Sequence, residues 1–201
     1  VRDCRIGPVL HHGPIGRAPD RMTAPETLDA LRDHIAAKLE RAVTDRHAAW
    51  RTPICATAGP QARVVVLRGS SDSGRRLEVH TDRRSDKVSA LAACPEIELC
   101  FWDPRSSEQL RARGTAVIET DGEAVERVWA ALPVGSRLPY LSLPAPGEVI
   151  AQADVQAASH LTKDETEQGR DVFAVISIQV ESWDWLELGS GGQRRARFRF
   201  P

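Results

Sequence analysis

The sequence predicts an α+β fold: an antiparallel β-barrel with helices packed on its outside. Three observations carry that expectation. Segments with a two-residue apolar period outnumber those with a helical period, the helical segments fall singly between them, and no regular strand–helix–strand alternation appears. The 201 residues are 41% apolar, enough for a buried core. The formal net charge of -1 provides no global cationic field of the kind that marks a nucleic-acid binder. No apolar run approaches the roughly 20 residues of a membrane helix.

Residues 1–21 carry Pro, Gly and Arg without periodicity and lack the apolar centre of a signal peptide, so they are expected to form a disordered extension to a single domain at 22–201. Val1 opens the chain and its one methionine is Met22, which points to a non-ATG start or to a start further downstream. Thr23-Ala24-Pro25-Glu26 has the pattern of a capping box, and Leu28, Leu31, Ile35, Leu39 and Ala42 then form one helical stripe that ends between Val43 and His47. "TPICATAGPQARVVVLRGS" reads as strand, turn at Gly59-Pro60, strand. In that second strand Arg63 opens "RVVVLR" and Arg68 closes it. "SSDSG" is a turn and "RRLEVHT" the next strand.

Ser85 to Ala93 reads as a short helix capped by Ser85 and closed by Pro95. "EIELCFW" and "EQLRARGTAVIE" alternate as strands, and Gly114 within the latter signals a bulge or a close backbone approach. Asp121 is placed to cap a helix burying Val125 and Trp129. Residues 134–170 are irregular, with a helical stretch expected from about Glu148 to His160. "DVFAVISIQVESWDWLEL" and "QRRARFRF" supply two or three final strands.

Cys4, Cys55, Cys94 and Cys100 have no metal-type spacing and read as reduced, buried thiols of a cytoplasmic protein; the six histidines form no metal-binding group. The five tryptophans read as core and interface fillers. The arginines at 194, 195, 197 and 199 alternate with Ala196, Phe198 and Phe200, which fits a half-buried strand better than a nucleic-acid patch.

One constellation points to chemistry. "HTDRRSDK", residues 80–87, gathers hydroxyls, arginines and a lysine where a strand gives way to a helix. A helix N-terminus offers free N–H groups and a positive dipole end, and Thr81, Ser85 and Lys87 add hydrogen bonds, so a phosphate is favoured there. From spacing alone the plainer reading also stands: Ser85 as a helix cap, and Arg83, Arg84 and Lys87 as a solvated basic face. His80 reads as a strand-end packing residue or as a base beside a ligand.

"RVVVLRG", "VHTDRRSDKVSALAACPEIELCFW" and "EQLRARGTA" together resemble, in order and spacing over residues 50 to 120, the pyridoxamine 5'-phosphate oxidase-like family of FMN-binding split barrels. "VWAALPVGSRLPY" is similar to a segment of its oxidase-related branch, and the tail to its C-terminal strand pair. The resemblance implies a homodimer with FMN at the interface and oxidoreductase activity on a small substrate. It implies that Arg63 and Lys87 bind the FMN phosphate, with Thr81 and Ser85 beside them and His80 and Arg84 adjoining. The backbone of Val64, Val65, Val66 and Leu67 would run under the ring. Gln109 would meet the polar edge of the isoalloxazine across the interface, with Trp185 and Arg197 reaching the flavin from the tail. Arg68, Ser136 and Arg137 would face the substrate.

Four departures qualify this. Asp86 stands where the family carries Arg, with Arg84 placed to substitute; Asp82 replaces Asn; Gln193 and Arg195 replace the family's substrate-binding Arg-x-His; and the family's aromatic flavin neighbour falls at Leu186, with Trp185 beside it. A flavin carrier or sensor without turnover, or a pocket reassigned to another anion such as a tetrapyrrole, remain alternatives.

Overall fold

The computed structural model describes residues 25–149, 161–189 and 192–201. The expected extension at 1–21, and most of the helix expected from Glu148 to His160, lie outside them.

Helix α1 (Leu28–Thr44) buries Leu31, Ile35, Leu39 and Ala42, the predicted stripe. Its start differs from expectation. Pro25 and Glu26 precede the helix, and Thr27 is the cap, its hydroxyl accepting from the Ala30 amide at 3.3 Å. Strands β1 (Ile54–Thr57) and β2 (Gln61–Val64) form a hairpin; β3 (Leu67–Ser71) and β4 (Arg76–Asp82) form another. The "RVVVLR" run is therefore not one strand. It breaks at Val65 and Val66, where the chain passes from pairing with β1 to pairing with β4.

Helix α2 (Asp86–Ala93) follows, then β5 (Glu96–Asp103), β6 (Glu108–Glu119) and α3 (Glu123–Ala131). Asp121 does not cap α3: Gly122 occupies that position at φ 92° and no side chain caps the helix. After α4 (Val134–Arg137) and two 3-10 segments come β7 (Phe173–Gly189) and β8 (Gly192–Arg199).

The strands run β2-β1-β5-β6-β7-β4-β3 in one antiparallel sheet, with β8 added to β7. The sheet is open, and its two ends, β2 and β3, are joined only by Val65-Val66. The first half of β7 lies between β6 and β4; its second half lies between β6 and β8. The register shifts between Arg113 and Gly114, the bulge the glycine signalled.

Two apolar clusters result. The main core joins α1 to the inward residues of the sheet, including Leu67, Leu77, Val79, Leu99, Phe101 and Trp183. A second packs Val125, Trp129 and Leu132 against Phe173 and Val175 on the opposite face of the sheet. Cys55 is buried while Cys94 and Cys100 are half-buried, and all three are free thiols. No helix among the described residues is long and apolar enough to cross a membrane.

Candidate functional site

The β1–β2 hairpin pairs Cys55 with Arg63 and Thr57 with Gln61, so these four side chains share one face. Arg63 uses it: its guanidinium donates to Thr57 Oγ1 at 2.8 Å and to Gln61 Oε1 at 2.9 Å. At the end of β4, Thr81 is buried on the face of Leu77 and Val79. Ser85 then occupies the N-terminal position of α2, yet its hydroxyl does not cap the helix. It donates instead to the Asp82 carbonyl at 2.8 Å. Lys87 folds back over this turn and donates to Thr81 Oγ1 at 2.8 Å and Ser85 Oγ at 3.0 Å.

Burial, with the charge of Arg63 behind it, pulls Lys87 below the ordinary lysine range. Burial pushes the Cys55 thiol up, against the pull of Arg63 and Lys87. Arg63, Thr81, Ser85 and Lys87 thus cluster beside Cys55 and Thr57. Sequence reading missed Thr57, although pairing across the Gly59-Pro60 turn places it beside Arg63.

Both cations here bond only to uncharged groups, and neither has an ion pair among the described residues. The carboxylate of Asp82 is committed to Arg84, which grips it through Nε and Nη2 at 2.6 to 3.2 Å. Two unpaired cations, two hydroxyls and the start of a helix fit a phosphate dianion.

Other expected residues lie elsewhere. Arg84 turns away from Lys87: besides Asp82 it holds the carbonyls of Ser142 and Leu143 at 2.9 and 3.0 Å. It therefore fastens the 142–149 segment to the β4–α2 turn and does not substitute for the family's arginine. Arg137 is corrected outright. It is wholly buried, bonded to Glu167 and the Trp129 carbonyl, and stacked 4.5 Å above the Trp129 ring. It fastens α3 to the 3-10 segment at 164–172. Ser136, beside it, is half-buried and keeps its hydroxyl unbonded among the described residues.

Trp185 is also corrected. Alternation along β7 turns it into the main core at 2% exposure, and its neighbour Leu186 pairs with Gln109. Arg197 is exposed and shares Asp184 with Arg195. Gln109 is half-buried, and its side chain makes no hydrogen bond among the described residues.

Arg68 and His80 form a second group. β3 and β4 pair Leu67 with Val79 and Gly69 with Glu78, which leaves Arg68 as the extra residue of a bulge. Its charge reaches His80 and Tyr140. Burial, then the charge of Arg68, drops His80 to about 4, so the imidazole is neutral at pH 7. The His80 ring packs edge-on to Phe173 at 5.2 Å, which is the packing role expected of it.

Comparison with known proteins decides the kinship. Residues 29–120 match the family model described as the pyridoxamine 5'-phosphate oxidase FMN-binding domain. This segment belongs to the pyridoxamine 5'-phosphate oxidase-like family. A pyridoxine/pyridoxamine 5'-phosphate oxidase 2 from Arabidopsis thaliana is 28% identical over 136 residues, 64% of this chain and 67% of that protein. A pyridoxine/pyridoxamine 5'-phosphate oxidase from Anaeromyxobacter dehalogenans is 33% identical over 101 residues, 50% of each chain. The chain thus spans two thirds of the first relative and half of the second.

Among solved structures, a pyridoxamine 5'-phosphate oxidase-related, FMN binding protein from Nostoc punctiforme superposes with a TM-score of 0.63 at 22% identity, covering 85% of this chain and 96% of the other. PhzG from Burkholderia lata, in complex with tetrahydrophenazine-1-carboxylic acid, gives 0.62 at 16% identity and 91% of each chain. At these identities the structures establish the fold, and the family's split barrel is the open sheet described above.

Proposed function

We propose that this protein is an FMN-dependent oxidoreductase of the pyridoxamine 5'-phosphate oxidase-related type, working as a homodimer on a small substrate. The observation that carries the reading is the convergence of Lys87, Thr81, Ser85 and Arg63, two cations without acid partners around two hydroxyls. Lys87 and Arg63 neutralise the phosphate, Thr81 and Ser85 donate to it, and the amides at the start of α2 complete the cradle. The break leaves Val66 outside the strand pairing where a flat ring would lie, while the Val65 amide still donates to the Pro53 carbonyl at 3.0 Å. Bound FMN supplies two-electron chemistry, which the chain's own side chains lack.

Pairing supports the dimer. Thr81 lies opposite Ala174 and Gln109 opposite Leu186, twelve residues apart along β7. That is up to roughly 40 Å of extended strand. Thr81 and Gln109 therefore lie far apart along this strand, and in the proposed dimer the second copy supplies Gln109 to the site. Val64 (66% exposed), Ile54 (47%) and Trp102 (44%) form an exposed apolar strip across β2, β1 and β5 that leads towards Gln109. A second copy covers such a strip.

The test is direct. The protein as isolated, or after adding FMN, is expected to absorb near ~450 nm and to release flavin on denaturation. Lys87→Ala and Arg63→Ala are each expected to weaken FMN binding by more than ~1.4 kcal/mol, about tenfold, in a fluorescence titration. A colourless chain that refuses FMN, or unchanged affinity in both variants, overturns the assignment. Reduction of the bound flavin by a defined amine or reduced nicotinamide distinguishes the enzyme from a carrier.

A further inference from the structure

Arg84, Arg111, Arg137 and Arg195 are each gripped by a carboxylate, which cancels much of their charge. Arg63 is gripped differently. Its Nη1 donates to Thr57 Oγ1 and its Nη2 to Gln61 Oε1, two uncharged oxygens. The β1–β2 register explains the grip. Arg63 lies opposite Cys55, while Thr57 lies opposite Gln61, one alternation nearer the Gly59-Pro60 turn. Arg63 and Gln61 are two apart on β2 and so share the face that carries Thr57. The guanidinium meets one acceptor on its own strand and one on the neighbour. Anchors at both terminal nitrogens fix its plane as well as its place, and they leave its charge whole.

The two arms differ in strength. Gln61 is exposed, where water competes for both partners. Thr57 is buried at 7% exposure, where a hydrogen bond is worth more. Thr57 is therefore the stronger arm. A long cationic side chain surrenders rotamer freedom when an anion fixes it. A guanidinium already fixed by its own hairpin surrenders less, and more of the attraction then appears as affinity. The placement suits a phosphate, because α2, which carries Lys87, packs against β1, the strand of Thr57. A plain structural role for Thr57 within the hairpin would serve any flavin alike. A role through Arg63 serves only a flavin that carries a phosphate.

We propose that Thr57 is a positioning residue: its hydroxyl, seconded by the Gln61 amide oxygen, holds the Arg63 guanidinium ready for the phosphate of the cofactor. This rests on the flavin reading and adds to it a residue that acts on the ligand through Arg63.

FMN and riboflavin differ only by the phosphate, so the ratio of their affinities, read by flavin fluorescence on the full chain, isolates its contribution. Thr57→Val keeps the shape of the side chain and removes the hydroxyl. It is expected to lower the preference for FMN at least about fivefold, with riboflavin affinity nearly unchanged. Thr57→Ser should restore most of the preference. In the Arg63→Ala background, Thr57→Val should lower it little further, as expected of residues that act as one unit. An unchanged preference in Thr57→Val, or the same fall in the Arg63→Ala background, overturns the proposal. If Thr57→Val does not fold, Gln61→Ala, at an exposed position, decides by the same two readings, with a fall of about twofold expected. A parent that binds FMN no better than riboflavin, or takes neither, sinks the phosphate assignment and this inference together. A parent that prefers FMN, with Thr57→Val indistinguishable from it, sinks this inference alone.

Discussion

Glu108 begins β6 at 1% exposure, where an unpaired carboxylate would be costly. Burial alone would raise it. Hydrogen bonds from His34, Lys38 and Ser106 outweigh that and hold it at about 2. Lys38 also reaches Asp103 at 2.8 Å, so one lysine of α1 pins the β5–β6 hairpin. Because the folded value lies below the ordinary 4.5, the stabilisation is complete above pH 4.5 and is lost as pH falls to about 2. Glu108→Gln should therefore be less stable than the parent by roughly 3 kcal/mol at pH 7, and the gap should close across that acid window. Urea unfolding at several pH values reads it, and a pH-independent gap would contradict it. None of this was legible in the sequence, because the partners lie on α1, 70 and 74 residues upstream of the glutamate, or in an unremarkable turn. Lys87 and Arg137 make the same point from opposite sides. Both are cations near short helices, and only the tertiary placement of Glu167 and Trp129 shows that Arg137 is tied to an acid while Lys87, among the described residues, bonds only to hydroxyls.

At the scale of elements, local pattern carried much of the fold. The alternation of Ile97, Leu99 and Phe101 marks β5, and the stripe from Leu31 to Ala42 marks α1, because both periods are set by the chain's own geometry. Gly114 was legible for the same reason. A Cβ there would lie 2.0 Å from the Gln179 carbonyl oxygen, against the β7 backbone of Gln179 and Val180, with nothing flexible to give way. Gly114→Ala should cost more than about 3 kcal/mol, read as a lowered urea midpoint; a loss below about 1 kcal/mol would mean that the β6–β7 bulge relaxes freely. The break at Val65-Val66 was hidden. A run of Val and Leu is apolar throughout, and which strand each half pairs with is a long-range matter. The cap of α1 was misplaced by four residues because two threonines offer the same local chemistry, and packing of the stripe selects Thr27.

The whole molecule is organised by β7, which serves two sheet halves with its two ends. Family motifs in the sequence gave the fold class and the cluster of Thr81, Ser85 and Lys87, since both depend on residues close together in the chain. They did not reveal that Trp185 faces the core, which follows from the phase of a seventeen-residue strand. If a second copy covers the strip of Val64, Ile54 and Trp102, Ile54→Asp should give a monomer in sedimentation and lose FMN affinity together, although Ile54 touches no phosphate ligand. A monomer with undiminished affinity would refute the shared site.

If each flavin site of the proposed dimer is built from both protomers, the sharing carries over to genetics: Lys87→Ala and Gln109→Ala would each disable both cofactor sites of their own dimer. Co-expressed in one cell, the two defective genes would assemble mixed pairs in which one pocket collects both lesions and the other collects none, so two separately inactive alleles should restore measurable flavin occupancy by complementation.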